Sequence, residues 1–337
     1  MSRTTRAAFV TAALLVGCSA APASEATRSL DELRTLTTSS ASSTIPIETT
    51  TTTEPASVRD CEDRGMATAS LSPDPNLTNG PGTFMDAIRQ RGQLRVGVDE
   101  NTEGFAALHP HTREIVGFEV DLAHAIAYSL FHDDDDRVEL IPLVTAQKTD
   151  LVAEGTVDLT ISAASMTCDR WNQVAFSAEY YTAHQQFLVR VDSDIHDAAD
   201  LIGREICVTR GSSSKRILKA QVPEARLVEV DSRTDCLVAL ENDEVDAYFG
   251  HDTFLYGMIA QDHSVEIRPD ILDRKLTVSH YGIAIAKEHE DFVRYVNGVL
   301  ESLIADGTWQ RLIEKRLTPL GIPEIPPPTP DYRRDHA

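Results

Sequence analysis

Positive charge is scarce in this 337-residue chain: 31 Lys and Arg stand against 53 Asp and Glu, a net of −22. A surface of that sign repels phosphate backbones and anionic headgroups, which excludes nucleic acid as a partner and leaves no electrostatic attraction to a lipid surface. Long apolar runs are missing as well. Beyond the first twenty residues none reaches the roughly 18 apolar residues that a membrane span needs. Cysteine is sparse, five in all, with no C-x-x-C and no cysteine beside a His pair, so neither a zinc site nor any other metal or cofactor is expected. What remains is 42% hydrophobic and 25% charged, the balance of a folded soluble protein, in a length that suits two ordinary domains.

The first residues read as a processing signal. Arg3 and Arg6 precede an apolar stretch, residues 7–16, and then L-V-G-C at residues 15–18, which resembles a lipobox. Cleavage before Cys18 predicts a signal peptide over residues 1–17 and a lipid-bearing Cys18 that anchors the chain on the extracytoplasmic face of the cell membrane. One anchor suffices only when it carries several acyl chains. Residues 19–57 are rich in Ser, Thr, Ala and Pro and cannot bury enough surface to offset ordering, so residues 18–82 are expected to be a tether with an N-terminal arm. Residues 321–337 form a Pro-rich tail. Outside the cytoplasm the four other cysteines favour disulfides, in any of three pairings. Cys207 and Cys236 fall in one predicted lobe and are paired on that ground, leaving Cys61 with Cys168. Closing the Cys207–Cys236 loop adds about 3 to 4 kcal/mol in the chain-entropy model. The acidic run at residues 132–136 lacks the alternating ligands of a calcium loop and reads as solvated charge.

From residue 83 strands and helices alternate. Thr83 caps a short helix, residues 94–98 form a strand, and Phe118, Leu122, Ile126 and Leu130 place one apolar face on a helix. Residues 138–143 read as a strand, 145–153 as a helix and 157–161 as a strand. After an extended run at 187–191 a second set follows: strands at 205–209, 226–230 and 245–249, with helices at 212–220, 234–240 and 253–260. Residues 277–286 are extended again, and helices at 290–305 and 308–317 close the pattern. Such alternation implies an α/β fold with parallel sheets and right-handed crossovers. The two extended runs divide it into a clamshell, with one lobe from residues 83–182 and 280–320 and the other from residues 183–279.

Ligands of open α/β sheets bind beyond the carboxyl ends of strands. Residues 163–170, A-A-S-M-T-C-D-R, follow such an end and carry the hydroxyls of Ser165 and Thr167 and the guanidinium of Arg170, which can grip a carboxylate with two parallel bonds. Gly211, Ser212 and Ser213 form a strand-to-helix turn whose amides attract anions. Asp99 ends the first strand and either faces a ligand or caps a turn. His251 and Arg210 are candidates for a side-chain pocket. Asp252 precedes a helix, as an N-cap does.

As an ordered set, several stretches resemble one family, the extracytoplasmic solute-binding proteins of family 3 that serve ABC importers of polar amino acids. They are G-Q-L-R-V-G-V-D at 92–99, G-F-E-V-D-L-A at 117–123, E-G-T-V-D-L-T-I-S at 154–162, S-M-T-C-D-R at 165–170, V-T-R-G-S-S-S at 208–214, D-C-L-V-A-L-E-N-D-E-V-D-A at 235–247 and N-G-V-L-E-S-L-I-A-D-G-T-W at 297–309. They span residues 94–317, and the cysteines and Thr-rich tether look like the actinobacterial glutamine-binding-protein-like lipoproteins. The resemblance implies a periplasmic binding protein fold of type II with two crossovers at the hinge. It implies that Arg170 holds an α-carboxylate with Ser165 and Thr167, and that Asp252 holds the ammonium. Two departures stand out: Ala163 replaces a glycine, and Cys168 replaces a proline, which supports the Cys61–Cys168 pairing. Thr102 occupies the position of an aromatic that sandwiches the ligand, with Phe105 as a substitute. The implied function is that of a monomer, not an enzyme, that captures a glutamine, glutamate, asparagine or aspartate by lobe closure and delivers it to a membrane permease. Two alternatives share the fold: a sensor that presents its closed form to a membrane signalling protein, and a dehydratase-like enzyme, for which Glu179 and Asp99 are conceivable acids.

Overall fold

The apolar run at residues 94–98 suits a strand buried in a parallel sheet, and it forms β1 (Leu94–Val98) in the computed structural model, which describes residues 67–74, 80–133 and 136–332. Ahead of it α1 (Phe84–Arg91) starts at Thr83, whose Oγ1 accepts from the Asp86 amide, and stops at Gly92 in the left-handed region, φ 87°. A small antiparallel sheet follows, of β2 (Asn101–Thr102), β3 (Ala106–Leu108) and β4 (Ile115–Val116). Then come α2 (Phe118–Phe131), β5 (Val138–Pro142), α3 (Asp150–Ala153), β6 (Leu159–Thr160), α4 (Cys168–Trp171) and β7 (Ala175–Phe176). The ten-residue β8 (Tyr181–Arg190) leads to β9 (Glu205–Thr209), α5 (Ser214–Gln221), β10 (Arg226–Val230), α6 (Arg233–Glu241), β11 (Ala247–His251), α7 (Asp252–Gln261), β12 (Val265–Arg268) and α8 (Arg274–Thr277). The chain closes through β13 (Val278–Tyr281), β14 (Ala284–Ile285), α9 (Glu290–Ala305) and α10 (Thr308–Arg316).

Two sheets make two lobes. The first has the order β5-β1-β6-β14-β7, with β1 parallel to both β5 and β6. The second has the order β10-β9-β11-β8-β12, with β9, β10 and β11 parallel and β8 running against β11 and β12. β8 belongs to both regions. Its first four residues pair with β13, whereas Gln185 onward pairs with β11 and β12, so β8 and β13 are the two crossings between lobes.

Strand alternation decides which core each residue joins. Phe187, Val208 and Phe249 enter one cluster, packed with Ile217 and Leu218 of α5. Their neighbours Leu188, Cys207 and Tyr248 enter another, with Leu237 of α6 and Leu255 of α7, so helices cover both faces of the second sheet. The first lobe is centred on Phe105, Phe118, Tyr180, Tyr181 and Trp309. A disulfide between Cys207 and Cys236 ties β9 to α6, as paired from the sequence.

Several boundaries differ from the sequence reading. The helix expected over 145–153 is a 3-10 turn at Thr145–Gln147 followed by the four-residue α3. The strand expected at 245–249 lies two residues later, because Asp243 at φ 59° holds a turn and pairing with β9 begins at Ala247. The helix expected from residue 212 begins at Ser214.

Residues 67–74 pack as an arm on the first lobe. The Ala67 amide donates to Met166 O at 3.0 Å, Trp171 Nε1 donates to Ala67 O at 2.9 Å, and Asn297 Nδ2 donates to Ser70 Oγ and Leu71 O. The Pro-rich tail crosses the same region, where the Ser70 amide donates to Asp331 O at 2.8 Å. Cys168 is disulfide-bonded. Its expected partner Cys61, the signal peptide, Cys18 and most of the tether lie outside the described residues. Among the described residues no helix is long and apolar enough to cross a membrane.

Candidate functional site

The loop after β6 has an unusual backbone, and its cause is local. Ala163 stands at φ 51°, in the left-handed region that costs a residue with a Cβ about 1 to 2 kcal/mol. It is held there because its amide donates to Glu119 Oε1 at 2.6 Å and lies 3.2 Å from Tyr180 Oη. Glu119 projects from the first turn of α2, and burial raises its pKa above the ordinary carboxylate value. The glycine that the family resemblance expects at this position is thus explained by a backbone conformation.

Thr167 caps α4, with its Oγ1 accepting from the Arg170 amide at 3.4 Å. Arg170 therefore leaves a fixed turn and spans the cleft. Its Nη1 donates to Ser165 O at 2.9 Å on its own lobe, and its Nη2 donates to Gly211 O at 3.1 Å on the other. Burial pushes the guanidinium down to about 10, which leaves it charged at neutral pH. Among the described residues no carboxylate lies within ion-pair distance of it: Asp169 is exposed, and Glu179 accepts from Thr182 Oγ1 and pairs with His280 Nδ1.

Ser165 meets the second lobe through its side chain. Its Oγ shares a 3.2 Å hydrogen bond with Ser213 Oγ and lies 3.5 Å from His251 Nε2. The buried His251 ring is bonded to Ser279 Oγ at 3.0 Å, and desolvation holds its pKa well below the ordinary imidazole value, so the ring is neutral. Gln185 Nε2 donates to Ser213 Oγ at 2.9 Å. Ser165, Ser213, Gln185, His251 and Ser279 together form a polar seam across the hinge.

Two sequence candidates sit elsewhere. Arg210 is largely exposed and its Nε donates to Asp231 Oδ1 at 2.7 Å, on the outside of the second lobe. Asp252 accepts from the His184 and Thr253 amides at 3.1 and 2.9 Å and is not among the residues lining the inner cavity. Its carboxyl is pushed up to about 6, chiefly by burial. Gly211, Ser212 and Ser213 form the expected turn, although Ser213 rather than Ser212 flanks the helix and the side chain of Ser213 faces Ser165.

Two cations that sequence reasoning passed over stand inside the cleft. Arg233, the first residue of α6, is 2% exposed and pairs with Asp99 of the other lobe at 2.6 Å. It also donates to the hydroxyls of Thr102 and Thr145, and its guanidinium lies 3.7 Å from the centre of the Phe254 ring. Lys148, also 2% exposed, has its pKa well below the ordinary lysine value, first through burial and then through repulsion by Arg233. A signal for each was present. A cation in the first turn of a helix opposes the dipole and calls for another reason to be there. Lys148 is three and four residues before Leu151 and Val152, so it interrupts an apolar stripe.

These side chains enclose a cavity of about 10 Å³ lined by Lys148, Ala163, Ser165, Arg170, Ser213, Arg233, His251 and Phe254, among others. That is room for about one water. Beyond it a groove of about 290 Å³ opens to solvent past Arg170, Thr167, Thr145 and Gly211. A larger molecule enters the inner cavity only if the lobes part. Among the described residues no three His, Cys, Asp or Glu side chains stand where they could hold a metal ion.

Residues 94–318 match the family model described as bacterial extracellular solute-binding proteins, family 3. The chain is 30% identical over 261 residues to the glutamate-binding protein GluB of Corynebacterium glutamicum, covering 75% of this chain and 87% of that protein. It is 28% identical over 211 residues to the glutamine-binding protein of Geobacillus stearothermophilus, covering 62% and 79%. Among solved structures, the ancestral amino-acid-binding protein AncCDT-1, a precursor of cyclohexadienyl dehydratase, is 27% identical with a TM-score of 0.62, over 69% of this chain and 99% of that one. With its two-lobed α/β fold and a family match over most of its length, the chain belongs to the bacterial extracellular solute-binding proteins of family 3.

Proposed function

We propose that the chain, anchored through an acylated Cys18 on the extracytoplasmic face of the membrane, captures one polar amino acid of the glutamine, glutamate, asparagine and aspartate class and delivers it to the permease of an ABC importer. The observation that carries this reading is Arg170, a guanidinium that touches both lobes across the cleft and has no carboxylate partner among the described residues. A ligand carboxylate is the group that suits it, in a bidentate geometry that Lys could not offer. The ammonium end falls to the Ser165 hydroxyl and the Ala163 carbonyl, on the loop that Arg170 shares, and the Gly211 turn adds amides from the second lobe. Binding energy then holds the lobes together, and the closed shape is what a membrane partner reads.

A binding role is also favoured over turnover by the acids at hand. Asp99 is ion-paired with Arg233, and Glu179 is bonded to Thr182 and His280, so neither is directed at the cavity as a general acid. The names of the relatives point the same way, since GluB and the Geobacillus protein are both described as binding proteins. A thermal-shift screen of the protein against the twenty amino acids tests the reading. A rise in melting temperature confined to a few polar amino acids is expected, and no shift with any of them refutes it.

A further inference from the structure

We propose that Lys148 and Arg233, one from each lobe, form the subsite for the ligand's side chain, and that the side chain they take is a carboxylate, so the ligand is an acidic amino acid. This rests on the reading above and narrows it. The argument is one of charge in a closed space. Three basic side chains line the inner cavity, Arg170, Lys148 and Arg233; Asp99 pairs with Arg233 at 2.6 Å, and burial holds the Lys148 pKa well below its ordinary value, so its ammonium form is favoured once an anion stands beside it. His251 is neutral, and Glu119 sits behind the loop with its Oε1 bonded to the Ala163 amide and the Tyr180 hydroxyl. A zwitterion with a neutral side chain brings one charge of each sign and leaves the excess of cations as it was. A ligand with two carboxylates and one ammonium reduces it, and a cationic side chain worsens it. Buried charge without a counter-charge is costly, so the cavity discriminates in that order.

Placement separates the cations by role. Arg170 is half-buried and borders both the inner cavity and the open groove, whereas Lys148 and Arg233 are each 2% exposed. No carboxylate pairs with Lys148 within ion-pair distance among the described residues; Asp99 and Glu119 reach it only as longer-range charges. Arg233 is held from all sides, by Asp99, by the Thr102 and Thr145 hydroxyls and by the face of Phe254. Thr102, where the family resemblance places an aromatic, instead positions this guanidinium. The side-chain end of the site therefore combines a fixed Asp99–Arg233 pair with Lys148, which has no carboxylate of its own among the described residues, and an anion supplies the counter-charge that an amide does not.

Titration calorimetry of the intact protein with L-aspartate, L-glutamate, L-asparagine, L-glutamine and L-arginine tests this directly. At least one acidic ligand is expected to bind ten-fold or more tightly than its own amide, with arginine weakest. In Lys148→Met and Arg233→Met the ratio of acid to amide affinity should collapse towards one, and rising salt should not account for the loss. An amide that binds as tightly as its acid in the unaltered protein overturns the inference without any variant, as does a variant that weakens acid and amide equally. If no amino acid binds at all, the reading of the protein as an amino-acid binder fails first, and that outcome is distinct from either of these.

Discussion

Ala163 shows how a single residue records what a loop requires. Its left-handed backbone is imposed by the Glu119 carboxylate and the Tyr180 hydroxyl, and a glycine would adopt it without penalty. Ala163→Gly is expected to stabilise the protein by about 0.5 to 1 kcal/mol, the relief of backbone strain less the added freedom of the unfolded chain. Urea unfolding measures it, and a loss of stability would mean that packing of the methyl group outweighs the strain. Asp252 offers a second check at this scale. Its carboxyl is pushed up to about 6 in the folded protein against an ordinary 3.8, so the folded state binds that proton more tightly. Its contribution to stability is present at low pH and is lost as pH rises from about 4 through about 6. Asp252→Asn should therefore gain stability relative to the unaltered protein between pH 4.5 and pH 7.5. A constant difference across that range would show that the carboxyl does not titrate there. The same variant should keep most of its amino-acid affinity, because the carboxylate is bonded to the His184 and Thr253 amides rather than lining the cavity. A large loss would restore Asp252 as the ammonium partner.

At the scale of elements, α6 carries Arg233 at its first position and Cys236 one turn on. The disulfide to Cys207 pins that turn to β9, and so fixes the helix end from which the buried cation reaches across the cleft. Replacing both cysteines by alanine is expected to cost about 3 to 4 kcal/mol of stability. Denaturant unfolding of the variant beside the unaltered protein, both without reductant, checks this, and a change below 1 kcal/mol would contradict the constraint. The elements also show what could be read in advance. Strands such as Glu205–Thr209 and Arg226–Val230, and the helix Glu290–Ala305, fall where apolar periodicity put them, since their burial is decided locally. The short β2, β3 and β4 escaped notice because strands of two or three residues carry too little pattern. Arg233 and Lys148 escaped for a different reason. A charged residue at a helix start or in a turn usually faces water; here Arg233 is buried against Asp99, Thr102 and Thr145 of the other lobe, and Lys148 lines the same closed cavity.

Across the whole molecule, three contacts close between lobes: Arg170 to Gly211, Ser165 to Ser213, and Asp99 to Arg233. None of these pairs is local in sequence; that the loop at residues 163–170 and the Gly211 turn face each other across closing lobes followed from the family resemblance, whereas the Asp99–Arg233 pair had no such guide. The two strands β8 and β13 join the lobes, and the arm at residues 67–74 braces the loop that bears Arg170 through Ala67, Met166 and Trp171. The central claim is that a ligand carboxylate joins the lobes through Arg170. Titration calorimetry of the unaltered protein and Arg170→Ala, each with the amino acid that gives the largest thermal shift, tests it most directly. The account predicts that the variant loses about 2 to 5 kcal/mol of binding free energy. An affinity for the variant within three-fold of the unaltered protein would contradict it.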